Sequence, residues 1–116
     1  MTGPAAQVTF TKTFDFSASF SRDGKIYGHN YTLGVTTDWM DEEAEALFEA
    51  KVRESLIKKM ESRDLGLHVD FLKGARLNDE NLLAIFWPIL KKEIHPLGLH
   101  RLSLQRDQRT KVVMSL

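Results

Sequence analysis

The stretch Tyr27-Gly28-His29-Asn30 has the clearest capacity for chemistry in this sequence. The imidazole of His29 can bind a metal ion or transfer a proton near neutral pH. Zinc sites need three or four protein donors, and histidines two residues apart on a strand can supply two of them. Here the partner position, two residues before His29, holds a tyrosine. The stretch therefore contains half of a histidine metal site, and any further ligands must come from elsewhere.

Composition limits where those ligands can come from and what the protein can bind. The 116 residues contain no cysteine, so thiolate ligands, thiolate nucleophiles and disulfides are excluded. Sixteen basic residues balance sixteen acidic ones, which argues against a nucleic-acid partner. No apolar run predicts a membrane span, and the N-terminus lacks the pattern of a secretion signal. We expect one cytoplasmic domain over residues 1–116, with a flexible N-terminus at residues 1–7.

Two alternating segments near the N-terminus predict a β-hairpin that carries His29. From Val8 to Phe20 the apolar residues occupy one parity, interrupted only by Lys12, and polar residues occupy the other. A turn-like Ser-Arg-Asp-Gly follows at 21–24, and the alternation resumes from 27 to 35. Alternation at period two is typical of half-buried strands, and the short turn makes the pair antiparallel.

The rest of the chain predicts two helices and a second hairpin. Residues 41–60 repeat apolar side chains at the helical period, and Asn78 can cap a second helix. Short alternating runs at 99–105 and 110–116 predict the final two strands. The order ββααββ predicts an α+β fold in which a four-stranded antiparallel sheet carries both helices on one face.

These elements and their motifs resemble the 6-pyruvoyltetrahydropterin synthase family, which includes the bacterial 6-carboxytetrahydropterin synthases. The resemblance covers Phe14 to Val113 and rests, in order, on FSASF, YGHNY, NDENL followed by IFW, and LSLQRDQRTKVV. It implies the tunnelling fold, in which the sheets of several subunits join edge to edge into a barrel. Pterin-like or purine-like ligands are then expected between subunits of a ring-shaped homo-oligomer, whose assembly would cover the strand edges.

The same resemblance implies a zinc ion held by three histidines, in motifs like FSASH and HGHNY. At the matching positions this chain has Phe20, Tyr27 and His29, so one ligand of three is retained. Phenylalanine has no lone pair, tyrosine loses its proton only near pH 10, and a lone imidazole binds zinc weakly. We therefore expect neither zinc nor another cofactor, and instead a packed aromatic cluster with one hydrogen-bonded histidine.

The family's catalytic groups are also altered. The expected cysteine is absent, and an aspartate–histidine pair in a motif like LDHKNL falls on Glu61 and Ser62. The carboxylate is kept, but the group that titrates near neutrality is lost. His68 can enter the site only if its loop shifts; the alternative is an ordinary surface residue. Glu61 and His68 are the two catalytic candidates.

The ligand anchor is changed as well. In the family, a glutamate in a motif like VYET accepts hydrogen bonds from the pterin, whereas LQRD places Arg106 there. Arginine has only donors and favours a carboxylate, a phosphate or a carbonyl edge. Asp107 takes the acceptor role only if a bulge rotates the strand, and 106–109 can alternatively be a solvated turn. Glu80, in the helix start NDEN, serves either the ligand or the helix N-terminus. The ligand-binding candidates are thus Phe20, Tyr27, His29, Glu80, Arg106 and Asp107.

Three functions follow from this pattern. The first is a pterin-synthase-like protein that is non-catalytic or chemically altered and binds a pterin-like or purine-like molecule at subunit interfaces. The second is a working pterin side-chain lyase with a rearranged site. The third is an oligomeric interaction module without a ligand. Because the scaffold motifs are retained while four chemical positions of the family are lost, the residues favour the first function.

Overall fold

The sheet is built around a long hairpin, followed by two helical stretches and a second hairpin. The computed structural model describes residues 8–116, without the side chain of Arg22; the prediction for residues 1–7 lies outside them. The elements are β1 (Thr9–Arg22), β2 (Lys25–Asp38), α1 (Glu42–Val52), a π-helical segment (Arg53–Ile57), α2 (Lys58–Met60), β3 (Arg63–Asp64), a 3-10 turn (Asp70–Leu72), α3 (Asp79–Ile94), β4 (Leu99–Gln105) and β5 (Lys111–Ser115). The α+β class and the succession of the predicted elements are confirmed.

The predicted four-stranded sheet is incomplete, because the sheet has five strands in the order β3-β1-β2-β4-β5. Strand β3 pairs in parallel with β1 at Ala18 and Ser19, and the other pairs are antiparallel. The outer edge of β1 presents backbone groups that need partners. The chain leaving α2 turns at Ser62, where φ is +57°, and the N–H of Leu65 then donates to the carbonyl of Ser19 at 2.7 Å. A strand this short has no periodic signal, so the sequence pattern did not reveal it.

The tip of the first hairpin is a two-residue turn. Asp23 and Gly24 have φ values of +51° and +77°, and Arg22 pairs directly with Lys25. Such primed turns match the right-handed twist of the flanking strands and favour aspartate followed by glycine. This turn fixes the register along the hairpin, so that Phe20 lies opposite Tyr27. The register also places the aromatic residues of both strands on one face of the sheet.

That face carries the core, and both helical stretches cover it. The buried side chains form one cluster drawn from the sheet and both helical stretches. The largest fully buried members are Tyr31, Phe14, Phe48, Phe86, Leu33, Leu56, Met60, Leu65, Leu72, Leu83, Leu90 and Ile94. On the predicted apolar face of the first helix, Phe48, Val52, Leu56 and Met60 are buried, whereas Leu47 is 60% exposed.

Lys12, which breaks the alternation in β1, has a local explanation. Its Nζ lies 2.9 Å from Oε1 of Glu45 and 3.1 Å from Oε2 of Glu49, both on α1. The two carboxylates raise the pKa of Lys12, because they stabilise its charged form. A lysine on the core-facing parity is thus accommodated by acidic residues on the covering helix.

Within residues 8–116 the structure contains no helix long and apolar enough to cross a membrane.

Candidate functional site

The aromatic residues at the end of the first hairpin form a packed ladder. The rings of Phe20 and Tyr27 stack with centroids 5.5 Å apart and planes 23° apart. Phe20 and His29 have centroids 5.8 Å apart, and His29 meets Tyr31 edge to face at 5.7 Å. Phe16 continues the ladder by stacking on Tyr31 at 5.1 Å. The hairpin register therefore brings together Phe20, Tyr27 and His29, the three predicted hairpin residues.

A cavity of about 240 Å³ lies beside this ladder, where the hairpin meets the start of α3 and the end of β4. It is lined by Phe20, His29, Tyr31, Leu77, Asn78, Asp79, Leu82 and Arg106. Of the predicted ligand-binding residues, Phe20, His29 and Arg106 line this cavity. Three separate elements thus contribute to one concave surface, and small-molecule sites are usually concave.

The polar end of the cavity is an ion pair between Arg106 and Asp79. Nε of Arg106 lies 3.2 Å from Oδ2 of Asp79, and the two side chains are 41% and 15% exposed. Asp79 is the first residue of α3, after Asn78, whose side chain accepts a hydrogen bond from the N–H of Asn81 at 2.8 Å. The cap sets the start of the helix and so directs Asp79 toward the cavity. The sequence reasoning did not identify Asp79.

The neighbouring Glu80 has a different setting. Its side chain borders a second cavity together with Leu83 and residues 112–115 of β5. Successive helical residues are about 100° apart around the axis, so Asp79 and Glu80 cannot face the same surface. The structure therefore does not bring Glu80 together with Phe20, His29 and Arg106.

Tyr31 links the ladder to the ion pair. Burial raises the pKa of Tyr31 to about 12, the negative charge of Asp79 acts in the same direction, and the positive charge of Arg106 opposes it. Its hydroxyl is therefore a neutral hydrogen-bonding group over the physiological pH range. Tyr31 shares the strand parity of Tyr27 and His29, so extending the alternation by one step would have found it.

Asp107 does not take the acceptor role in the cavity. Its Oδ1 accepts hydrogen bonds from the backbone N–H groups of Arg109 and Thr110, each at 2.7 Å. These bonds, led by that from Arg109, hold the pKa of Asp107 below its usual value. The side chain is exposed and organises the loop between β4 and β5. Of the two predicted residues, Arg106 lines the cavity and Asp107 shapes the turn.

The two catalytic candidates also lie outside the cavity. Oε2 of Glu61 accepts a hydrogen bond from the backbone N–H of Ser17 at 3.1 Å, which caps the edge of β1. His68 is exposed, and its backbone N–H donates to the carbonyl of Asp64. The structure therefore does not bring these two residues together with His29, and neither has a group placed to transfer a proton within the cavity.

The donor set at His29 does not fit zinc. Phe20 is in ring contact with His29, and within residues 8–116 no group of three or more histidine, aspartate or glutamate side chains is placed to hold a metal ion. One imidazole and no thiolate fall short of the three protein donors of catalytic zinc sites and the four of structural ones.

Comparison with solved structures defines the class of fold. The chain has the α+β fold of the pterin synthases, with two helical stretches on one face of the sheet. A structure of 6-pyruvoyl tetrahydropterin synthase from Caenorhabditis elegans superposes with a TM-score of 0.78 at 18% identity, covering 96% of each chain. An uncharacterized protein from Wolinella succinogenes gives a TM-score of 0.66 at 11% identity, covering 96% of this chain and 99% of the other. The sequence matches no protein-family model and no curated protein. The likeness therefore establishes the fold and leaves the activity to be argued from the site.

Proposed function

We propose that this is a 6-pyruvoyltetrahydropterin synthase-like protein that binds a small flat heterocycle of the pterin or purine type in the cavity beside the aromatic ladder. We propose further that it does not catalyse the family's zinc-dependent reaction. The proposal rests on one observation above all. Rings of the aromatic ladder, including that of Tyr31, and an Asp–Arg pair border the same cavity on a fold shared with a pterin synthase.

The shape of the cavity supports a flat ligand. Its volume of about 240 Å³ is just under the range of roughly 300–1,000 Å³ that is usual for drug-sized ligands, so it suits a small, rigid molecule. Phe20, His29 and Tyr31 contribute rings to the wall, and aromatic rings favour stacked or edge-on contact with another flat ring.

The charges support a neutral ligand. Arg106 is the cavity's fixed cation, and its charge is compensated by the carboxylate of Asp79 at 3.2 Å. A phosphate or carboxylate entering the cavity would meet Asp79 as well as Arg106, and like charges at this range repel. A neutral heterocycle avoids this repulsion and can still hydrogen-bond to both groups.

The positions of the catalytic candidates support binding without the family's reaction. Glu61 is engaged by the backbone of β1, and His68 lies on the surface outside the cavity. His29, which lines the cavity, is packed between two aromatic rings, and the carboxylate of Asp79 in the same lining is paired with Arg106.

The edges of the sheet support self-association. Within the described chain, β5 has no strand partner on its outer side, and β3 pairs with β1 at two residues only. Val113 of β5 is 49% exposed. Pairing of these edges between copies would satisfy their backbone groups and close a ring, which we propose as the cytoplasmic form of the protein.

Calorimetric titration with pterin and with guanine tests the proposal. We expect saturable binding to the wild type, and weakening by about tenfold in Phe20→Ala, because the stacked ring is lost. Leu47→Ala, which removes an exposed side chain of α1, is the matched control and should bind as the wild type does. Native mass spectrometry of the same samples reports the oligomer.

Two results would contradict the proposal. Absence of heterocycle binding at millimolar concentration would leave the interaction-module alternative. Stoichiometric zinc by elemental analysis, with turnover of dihydroneopterin triphosphate, would favour the rearranged lyase.

A further inference from the structure

We infer that Asp79 and Arg106 together select the ligand. Arg106 donates a hydrogen bond to a ring carbonyl of the ligand, and Asp79 accepts one from the ring N–H beside that carbonyl. This inference rests on the proposed heterocycle site and names the chemical class that the site accepts, a lactam-type heterocycle. The recognition element is then divided between the first turn of α3 and the residue that follows β4.

The geometry of the pair leaves hydrogen-bonding capacity on both partners. Nε of Arg106 lies 3.2 Å from Oδ2 of Asp79. An ionised carboxylate has about four lone-pair sites and a guanidinium has five N–H donors, so this one contact does not use them all. The pair therefore keeps acceptor and donor capacity for a ligand in the cavity.

Asp79 and Arg106 carry opposite charges, and this determines the arrangement of hydrogen-bond donors and acceptors that they can recognise in a ligand. An ionised carboxylate only accepts hydrogen bonds, and a guanidinium only donates them. A ligand edge must therefore present a donor to Asp79 and an acceptor to Arg106, side by side. A ring N–H next to a ring carbonyl has this pattern, and bonds to ionised partners are stronger than neutral ones.

The same pattern rejects ligands of equal shape but opposite polarity. Replacing the carbonyl by an amine, and so the ring N–H by a bare nitrogen, places a donor against Arg106 and a lone pair against Asp79. Such a ligand recovers both bonds only by changing its position or orientation in the cavity, whose walls include Tyr31 and Leu82. Such a mismatch costs affinity, because neither Asp79 nor Arg106 then keeps its hydrogen bond to the ligand.

A pair of probes with the same ring system tests the inference. Pterin carries the lactam edge, and 2,4-diaminopteridine carries the reversed one. We expect the wild type to bind pterin at least tenfold more tightly than 2,4-diaminopteridine, from calorimetric or fluorescence titration of each.

Substitution of Asp79 then assigns the preference to the pair. In Asp79→Asn, which keeps the size but loses the charge and one acceptor, pterin binding should weaken about tenfold or more and the preference should fall toward unity. Arg106→Gln should have the same effect on the ratio. Glu93→Gln, at the exposed far end of the same helix, is the matched control and should keep the wild-type ratio. Thermal melts of each variant report whether it is folded.

The outcomes are distinguishable from those of the proposed function. Equal binding of both probes to the wild type, or a preference that survives in folded Asp79→Asn and Arg106→Gln, overturns this inference and leaves the heterocycle site in place. Binding of neither probe overturns the site and the inference together. A preference that collapses only in the two pair variants supports both.

Discussion

Placing two histidines at the aromatic ladder should create a zinc site, because the side chains at these positions lie close to the separation of zinc ligands. The change is the double substitution Phe20→His and Tyr27→His beside the native His29. The ring centroids of Phe20 lie 5.5 Å from Tyr27 and 5.8 Å from His29. In a tetrahedral site with nitrogen about 2.0–2.1 Å from zinc, two ligating ring centres lie roughly 5 Å apart. Two of the three ring pairs therefore lie within about 1 Å of the separation that zinc requires.

The expected size of the effect follows from linkage. A three-histidine site with a Kd on the order of 1 µM corresponds to about −8 kcal/mol of binding free energy. With free zinc at about a hundredfold excess over Kd, the folded state gains about 2.7 kcal/mol. For a chain of this size, that gain raises the Tm by roughly 8–15 °C.

Thermal melts with and without zinc, read by circular dichroism, measure this shift. Chelation with EDTA should reverse it, and neither the wild type nor Phe20→His alone should show a comparable one, because one or two imidazoles fall short of the donor count. A folded double variant whose Tm is unchanged by zinc would refute the reasoning. It would mean that side-chain identity is not what prevents metal binding, and that the hairpin itself is wrongly shaped.

Three further predictions follow from individual residues. Leu56→Ala should lower the free energy of unfolding in urea by about 2–5 kcal/mol, because it removes a fully buried side chain from the core. Glu61→Ala should speed hydrogen exchange at the Ser17 amide while leaving neighbouring β1 amides unchanged, since this carboxylate is the partner of that N–H; unchanged exchange would rule out the capping role. In Tyr27→Phe, ultraviolet titration of the remaining Tyr31 should give a pKa of about 12. Because burial raises this pKa above the ordinary tyrosine value of about 10, stability should fall as the pH rises from about 10 to about 12.

Much of the fold could be predicted from local patterns. The alternation on either side of Asp23 and Gly24 defined the hairpin, because side chains on a strand change face at every residue and the turn residues set the register. Asn78 marked the start of α3, because an unpaired helix terminus needs a side-chain acceptor. Strand β3 could not be predicted in this way, because its two residues form only as partners of the β1 edge.

The candidate site, like the fold, could be predicted from the sequence only in part. The sequence by itself determined that Phe20, Tyr27 and His29 share a strand face and offer one metal donor in place of three, since both facts depend on parity and side-chain chemistry. Only the tertiary structure decided that Asp79 and not Glu80 meets Arg106, and that Asp107 turns away to bind Arg109 and Thr110. Those choices depend on how α3 is rotated against the sheet and on where β4 ends, and packing sets both across residues far apart in the chain.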